Sequence, residues 1–557
     1  MKYPSIPLAQ LTISLCKLTE LRHIVLSPGS RNAPLTIGFT EHPYFKTYSI
    51  VDERSAAFFA LGIAQQTQEP VALVCTSGSA LLNYYPAIAE AFYSRIPLVI
   101  LSADRPAEYI DIGDGQTIRQ TNVYANHILY NANCQEGAEI ETNQREIYQA
   151  IEIAKSQMGP VHVNLPFSEP LYEKVEECIA IDTSILPSIE SLEWKEDSAT
   201  RYLDQWNTAE KKMVVVGVLS PGSLEQKYVD LLLKDPSVIV LTETTSNLHG
   251  PHIIPTIDML LEGMDEMERQ MFQPDLLLTF GGFVVSKKIK AFLRAFPPIL
   301  HWHVDKYRAL DTYFVLSRFF QTHIQEFLSV MLTDNPKTIS NYQQTFWNRY
   351  QKRIHKRAVF ASTVPYSDFG VYHRVFDHLP DNSILHLSNS ATIRYAQLFA
   401  LNPTVAVFCN RGTSGIDGST STAIGGAVAS DRQTILITGD LSFFYDSNAL
   451  WNEHTPSNFR IIIINNKGGG IFRIIPGPKK AEKFSTYFET QHTLTAKHLA
   501  RMYDYDYLPV TDYTTLEVAL FNFFDETDRP KIMEVFTPRE KNEEMLQEYF
   551  KFIQTRN

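Results

Sequence analysis

The sequence predicts an α/β protein built from three doubly wound parallel-sheet domains, and three observations carry that expectation. Short apolar runs rich in β-branched residues recur along the chain, too short for buried helices. Nearly every run ends in a turn or a helix start, so that strands and helices alternate. A chain of 557 residues, 44% apolar and 20% charged, suits about three globular domains of roughly 100–200 residues each.

In the N-terminal third the strand candidates are 23–26, 48–51, 71–74, 98–101 and 161–164. They lead into Ser27-Pro28-Gly29, Asp52-Glu53, Thr76-Ser77-Gly78, Asp104-Arg105-Pro106 and Pro166. From about 181 to 200 the chain turns polar and acidic and reads as a linker. A second block has strands at 213–217, 238–241, 276–282 and 299–305, followed by a polar, helical connection over roughly 333–364. The third block opens with a strand at 384–387 and ends with one at 531–535. The expected domains are therefore 1–180, 200–332 and 365–557.

Two runs in the third block are the most informative. The run 434–438 ends in Gly439-Asp440, and 460–464 leads into Asn465-Asn466. With a helix expected at 450–454, they form a strand–helix–strand unit. An acid and an amide then lie at the carboxyl ends of parallel strands, where open α/β sheets bind ligands. Their oxygens suit one hard divalent cation, usually Mg²⁺, which also takes phosphate oxygens. Gly468-Gly469-Gly470 follows and would let backbone approach a phosphate. Taken alone, an ordinary βαβ unit with polar strand ends reads the same way.

Composition bounds the partners. A net charge of −12 argues against nucleic acid or an anionic membrane as a bulk partner. No apolar run approaches the ~20 residues that span a bilayer, and the N-terminus has no signal-peptide pattern. Cys16, Cys75, Cys134, Cys178 and Cys409 are scattered without Cys-x-x-Cys spacing, so a reducing cytoplasm is the simplest reading. In so acidic a protein, a small anionic ligand requires a local basic pocket.

Five further stretches carry candidate chemistry. Ser30 and Arg31 follow the first strand, where a helix N-terminus plus an arginine suits a carboxylate, although Ser30 or Asn32 also reads as a plain cap. Asp52-Glu53 opens a small-residue helix; the pair complements the helix dipole, or Glu53 serves as a buried carboxyl with raised proton affinity. Asp104 and Arg105 could form an ion pair, with Gln116 in the loop beyond. Lys287 lies at a basic helix start, where a lysine is usually solvated. Ser388-Asn389-Ser390, Arg394 and the run Asn410 to Thr422 surround one bulky aliphatic residue, Ile416, with glycines and hydroxyls.

The Gly-Asp…Asn-Asn arrangement resembles the metal–diphosphate motif of thiamine diphosphate enzymes, and three such domains fit their decarboxylase type. Ser-Pro-Gly-Ser-Arg, Ala-Asp-Arg-Pro and Asn-Arg-Gly-x-Ser-Gly-Ile-Asp-Gly are more specific. Through them nearly the whole chain is similar to the 2-succinyl-5-enolpyruvyl-6-hydroxy-3-cyclohexene-1-carboxylate synthase (MenD) family of menaquinone biosynthesis. The resemblance implies a transferase that condenses 2-oxoglutarate with isochorismate and releases carbon dioxide. It implies thiamine diphosphate, with Mg²⁺ or Mn²⁺ held by Asp440, Asn466 and the Gly468 carbonyl. Glu53 would hydrogen-bond the aminopyrimidine ring, and Ile416 would wedge the cofactor into a V. Ser388, Asn389, Gly439, Leu441, Ser442, Ile471 and Phe472 would complete the cofactor pocket. Ser390 and Arg394 would hold the distal carboxylate from 2-oxoglutarate; Ser30, Arg31, Arg105 and Lys287 would line the isochorismate side. Gln116 would bond the intermediate, and Arg411 could serve either substrate.

The chain departs from the family pattern at Leu441, where glycine is frequent, at Gly115, where an asparagine is common, and at Lys467, where a third asparagine is common. The resemblance also implies a homodimer or homotetramer with shared sites. Another thiamine-dependent 2-oxoacid decarboxylase or carboligase would explain Glu53 and Asp440 but not four arginines placed for carboxylates. A non-catalytic cofactor-binding protein would have no reason to keep Glu53, Ile416, Asp440 and Asn466 together.

Overall fold

The computed structural model describes residues 2–187, 199–332, 338–474 and 477–555. Parts of the expected linker (188–198) and of the expected helical connection (333–337) lie outside the described residues. Three six-stranded sheets form, each parallel throughout. Their central strands are buried from end to end, as in Val71–Cys75 and Leu98–Asp104, which is why they read as unbroken apolar runs rather than alternating ones.

The first sheet runs in the spatial order Lys46–Ser49, His23–Leu26, Val71–Cys75, Leu98–Asp104, Val161–Pro166, Asn131–Asn133. The third sheet repeats that order with Ala406–Phe408, Ile384–Leu387, Thr434–Gly439, Arg460–Asn465, Lys531–Phe536 and Asp506–Val510. The middle sheet differs: Ile253–Ile254, Val238–Leu241, Lys212–Val216, Leu276–Phe280, Leu300–Val304, Arg318–Phe320. At its reversal of strand order two backbones approach closely: a Cβ on Gly217 would lie 1.9 Å from the Gly282 carbonyl oxygen.

Several elements differ from expectation. The strand expected at 48–51 lies at Lys46–Ser49. Asp52 needs the following residues for a helix, whose start it caps by accepting the Ser55 N–H. The short edge strands, such as Asn131–Asn133 and Ala406–Phe408, were not anticipated, since three residues show no period. The helix expected at 450–454 is absent. The helix starts at Asp440 itself and runs Asp440–Tyr445, followed by a single 3₁₀ turn, Ser447–Leu450. Beyond it, the Asn452 side-chain oxygen accepts the N–H groups of His454 and Thr455, which turns the chain instead.

The outer two sheets meet through one helix pair. Glu53–Thr67 lies against Ser419–Val428 so closely that a Cβ on Gly62 would fall 2.0 Å from the Thr422 carbonyl oxygen. The second helix is capped from a distance: the Asp446 carboxylate accepts the Ser421 N–H at 2.7 Å and its hydroxyl at 2.9 Å.

Two outcomes follow from this packing. Gly62→Ala has only backbone to push against, so it should lower the denaturation midpoint by an amount worth about 1–3 kcal/mol or more. Burial pushes the Asp446 carboxyl from 3.8 up to about 7. Its contribution to stability is therefore complete below about pH 4 and is lost as pH rises through about 7. Melting temperatures of Asp446→Asn measured from pH 4 to 8 should fall less steeply with pH than those of the parent. Glu243, raised to about 7, and Asp368, raised to about 6, keep part of the slope.

Candidate active site

In both outer sheets the strand order reverses between the first and third strands, and ligands in open α/β sheets bind beyond such points. The candidate residues collect there. Ser30 and Arg31 follow His23–Leu26, while Ser388, Asn389 and Ser390 follow Ile384–Leu387. Asp440 follows Thr434–Gly439, and Asn466 follows the neighbouring Arg460–Asn465.

At the third sheet, the buried Asp440 carboxylate accepts the Leu441 N–H at 2.7 Å and the Gly468 N–H at 2.9 Å. His492 Nε2 lies 3.2 Å from Asp440 Oδ2, while its Nδ1 accepts the Leu494 N–H. Asn466 is buried, and its Nδ2 donates to Asp368 Oδ2 at 3.1 Å. Asn466 Oδ1 is buried without a partner. Among the described residues no group of three or more His, Cys, Asp or Glu could hold a metal. The donor set here is different: one carboxylate, one orphaned amide oxygen and the Gly468 carbonyl, all oxygen, which fits a hard cation completed by phosphate oxygens.

The glycine loop does not act as expected. The Gly468 N–H goes to Asp440, that of Gly469 to the Glu489 carbonyl at 2.6 Å, and that of Gly470 to the Gly468 carbonyl at 3.0 Å. All three donors are taken within the protein, so the loop shapes the site instead of offering N–H groups to a phosphate. Glu489 is itself buried and paired with Arg473.

The segment around Ile416 hangs between three supports. Glu90, buried on helix Tyr85–Ser94, accepts the N–H groups of Gly412 at 2.7 Å and Thr413 at 2.6 Å. Asn389 Nδ2 donates to the carbonyls of Asn410 and Gly415, both at 2.7 Å, and its Oδ1 accepts from Arg411. The Ser442 hydroxyl donates to the Ile416 carbonyl at 2.7 Å. Asn389 thus spends its amide on the loop. Ile416 remains 38% exposed, an aliphatic side chain held out by polar fixings. Ser388 accepts the Gly439 N–H, a Cβ on Gly439 would meet nothing within 4 Å, and Leu441, Ile471 and Phe472 lie half-buried or buried nearby in sequence.

Glu53 occupies the first position of its helix, but Asp52 supplies the cap and also accepts from Asn448 at 2.7 Å. The Glu53 carboxyl is half-buried, and burial raises it above the usual carboxylate range, with Asp52 adding to the rise.

The cations fall into two groups. Lys287 and Arg394 line a cleft of about 190 Å³ with Asp258, Ala391, Tyr395 and Ile474. Arg394 Nε is buried without a partner, and burial together with the Arg411 charge lowers its guanidinium pKa. Arg105 Nε is likewise buried and unpartnered. The Asp104–Arg105 side-chain pair that the sequence left open does not form: Arg105 faces Asp114 at 3.6 Å, while Asp104 takes the Arg105 backbone N–H and the Asn164 amide. Arg31 is 5% exposed and donates to the Phe167 carbonyl at 2.8 Å. Ser30 and Gln116 are exposed, Gln116 with φ +58 and its amide donating to the Ser77 carbonyl. Ser390 also has a positive φ, +73, at the start of the helix that carries Arg394.

Glu90, Asp368 and His492 were missed from sequence. Glu90 sits mid-helix like any solvent-facing acid, and the other two lie far along the chain from the loops they touch.

Comparison with known proteins agrees along the whole chain. Residues 6–125 match the N-terminal TPP binding domain of thiamine pyrophosphate enzymes, 187–387 their middle domain, and 390–535 their C-terminal TPP binding domain. The 2-succinyl-5-enolpyruvyl-6-hydroxy-3-cyclohexene-1-carboxylate synthase of Christiangramia forsetii is 51% identical over 100% of both chains. The synthase of the same name from Flavobacterium psychrophilum is 52% identical over 99% of this chain and 100% of its own. The chain therefore belongs to the 2-succinyl-5-enolpyruvyl-6-hydroxy-3-cyclohexene-1-carboxylate synthase family of thiamine pyrophosphate enzymes.

Proposed function

We propose that the chain catalyses the decarboxylative condensation of 2-oxoglutarate with isochorismate, the step named in its relatives, within menaquinone biosynthesis. The observation that carries this reading is the cleft where Arg394 and Lys287 meet. A buried guanidinium nitrogen without a protein partner, beside a second cation, is suited to a ligand carboxylate. Thiamine diphosphate, when bound, supplies the carbon nucleophile and the electron sink for decarboxylation.

The chain's own groups prepare that chemistry. Asp440, Asn466 Oδ1 and the Gly468 carbonyl would hold Mg²⁺ or Mn²⁺ against the diphosphate. Glu53, whose carboxyl burial raises above the usual carboxylate range, would hydrogen-bond the aminopyrimidine nitrogen. Ile416 would press between the cofactor's rings, its loop held by Glu90, Asn389 and Ser442. Ser390 and Arg394 orient the distal carboxylate of 2-oxoglutarate, and Arg411 adds charge beside Arg394. Ser30, Arg31, Arg105 and Lys287 face isochorismate, with Gln116 at the rim. Fixing two multiply charged substrates by arginines converts their encounter into a unimolecular addition.

We also assign domains of 1–180, 200–332 and 365–557, each holding one sheet, and a cytoplasmic homodimer or homotetramer. Among the described residues no helix is long and apolar enough to cross a membrane.

The reaction is tested by supplying thiamine diphosphate, Mg²⁺, 2-oxoglutarate and isochorismate, and following isochorismate loss together with carbon dioxide. Both should proceed together and stop when either substrate is omitted; carbon dioxide without isochorismate loss would mark a plain decarboxylase. Glu53→Gln should still bind thiamine diphosphate but slow hydrogen–deuterium exchange at the thiazolium C2 by about 10²–10⁴-fold. Unchanged exchange, read by NMR, would remove Glu53 from the proposed role.

A further inference from the structure

A side-chain amide is ambivalent at a cation site. Its oxygen and nitrogen ends have nearly the same shape, yet only the oxygen can bind a cation; the NH₂ end presents two donors to it. Something must decide which end of the Asn466 amide is left free. The neighbouring Asn465 is settled by its own contacts: its nitrogen donates to Glu534 and the Leu494 carbonyl, and its oxygen accepts the Lys467 N–H. Asn466 has one contact of this kind, to Asp368.

We infer that Asp368 is a positioning residue that locks the Asn466 amide with its oxygen toward the cation site. Asp368 opens the helix Asp368–Asp377 and is 2% exposed. One carboxylate oxygen takes Asn466 Nδ2 at 3.1 Å; the other takes the Thr537 hydroxyl at 2.6 Å. The Asp368 N–H donates to Asn542 Oδ1 at 2.8 Å, and Asn542 Nδ2 donates to Thr537 Oγ1 at 3.3 Å. This ring of contacts fixes the carboxylate in place. A carboxylate only accepts, so the flipped amide would set two oxygens face to face at hydrogen-bond distance. The lock accounts for the other end of the amide: Asn466 Oδ1 is buried and unpartnered. Nothing in the sequence pairs the two residues, which lie on different elements and meet only in the fold.

The inference rests on the reading that Asn466 binds the metal, and the experiment separates the two. Mn²⁺ binding, with thiamine diphosphate present, is measured by electron paramagnetic resonance, independently of turnover. It is measured for the parent, Asp368→Asn, Asn466→Asp and the double variant, with thermal unfolding recorded for each. In Asp368→Asn the Thr537 hydroxyl holds the new oxygen, so the introduced NH₂ turns toward Asn466 and draws its oxygen away from the metal. Mn²⁺ affinity should fall about 10–100-fold, the usual loss for a partner of a metal ligand. With Asn466→Asp both ends of residue 466 are oxygen and no orientation remains to be lost. Asp368→Asn should then cost no affinity, or should raise it by removing a carboxylate pair.

An equal loss in both backgrounds would reduce Asp368 to a charge or a structural prop and overturn the proposal, as would unchanged affinity in Asp368→Asn. If Asp368→Asn fails to fold, Thr537→Val loosens the same carboxylate without touching residue 466. It should weaken Mn²⁺ binding with asparagine at 466 and not with aspartate; equal effects overturn the lock. A parent that binds thiamine diphosphate but no Mn²⁺ would instead overturn the metal reading beneath it.

Discussion

The packing of helix Glu53–Thr67 on helix Ser419–Val428 is the constraint on which the rest of the structure depends. At Gly62 one helix meets the other's backbone with no room for a side chain, and Gly425 makes the reverse approach to the Phe59 carbonyl. The contact joins the first and third sheets, which share one strand order. It also sets where two of the candidate groups sit within one chain. Glu53 begins one helix, and the Ile416 segment leads into the other. Interiors packed at this density do not deform gradually, so the separation of these two groups is fixed by backbone rather than by side-chain choice.

Around that frame the polar groups divide into those used within the protein and those left over. Glu90, Asn389, Asp446 and the glycine N–H groups at 468–470 are used to hold loops. Arg394 Nε, Arg105 Nε and Asn466 Oδ1 are buried and left without protein partners. Buried polar atoms are normally satisfied; here several of the orphans lie at strand ends where ligands bind. The unpartnered guanidinium nitrogens are thus local positive points in a chain whose net charge of −12 would otherwise repel anions.

The middle domain has a different part. Two of its strands end in a close Gly217–Gly282 approach, and one of its turns borders the cleft. Glu243 accepts the N–H groups of Val285 at 2.6 Å and Ser286 at 2.7 Å, and Ser286 in turn caps the helix that begins with Lys287. Burial raises the Glu243 carboxyl to about 7. This pinned turn delivers Lys287 and Lys288 to the cleft that contains Arg394.

The central strands and the loops that follow them were legible in the sequence, because a strand buried on both faces must be apolar throughout and the turn after it must be polar. Glu53, Asp440 and Asn466 stand out for the same reason, each lying just beyond such a run, whereas Ile416 stands out by the glycines and hydroxyls around it. The sequence could not show short edge strands such as Asn131–Asn133 and Ala406–Phe408, whose three residues carry no period, or the start of the helix at Asp440. Nor could it show how the polar side chains are shared out. Asn389 and the glycine loop proved to be supports, the Asp104–Arg105 pair gave way to Asp114, and Asp368 and Glu90 gained partners on distant elements. A hydrogen bond is decided by angstroms between elements that only packing brings together. The kinds of chemistry at the strand ends were therefore determined by the sequence itself, and which atoms remain free to perform them was decided by the tertiary structure.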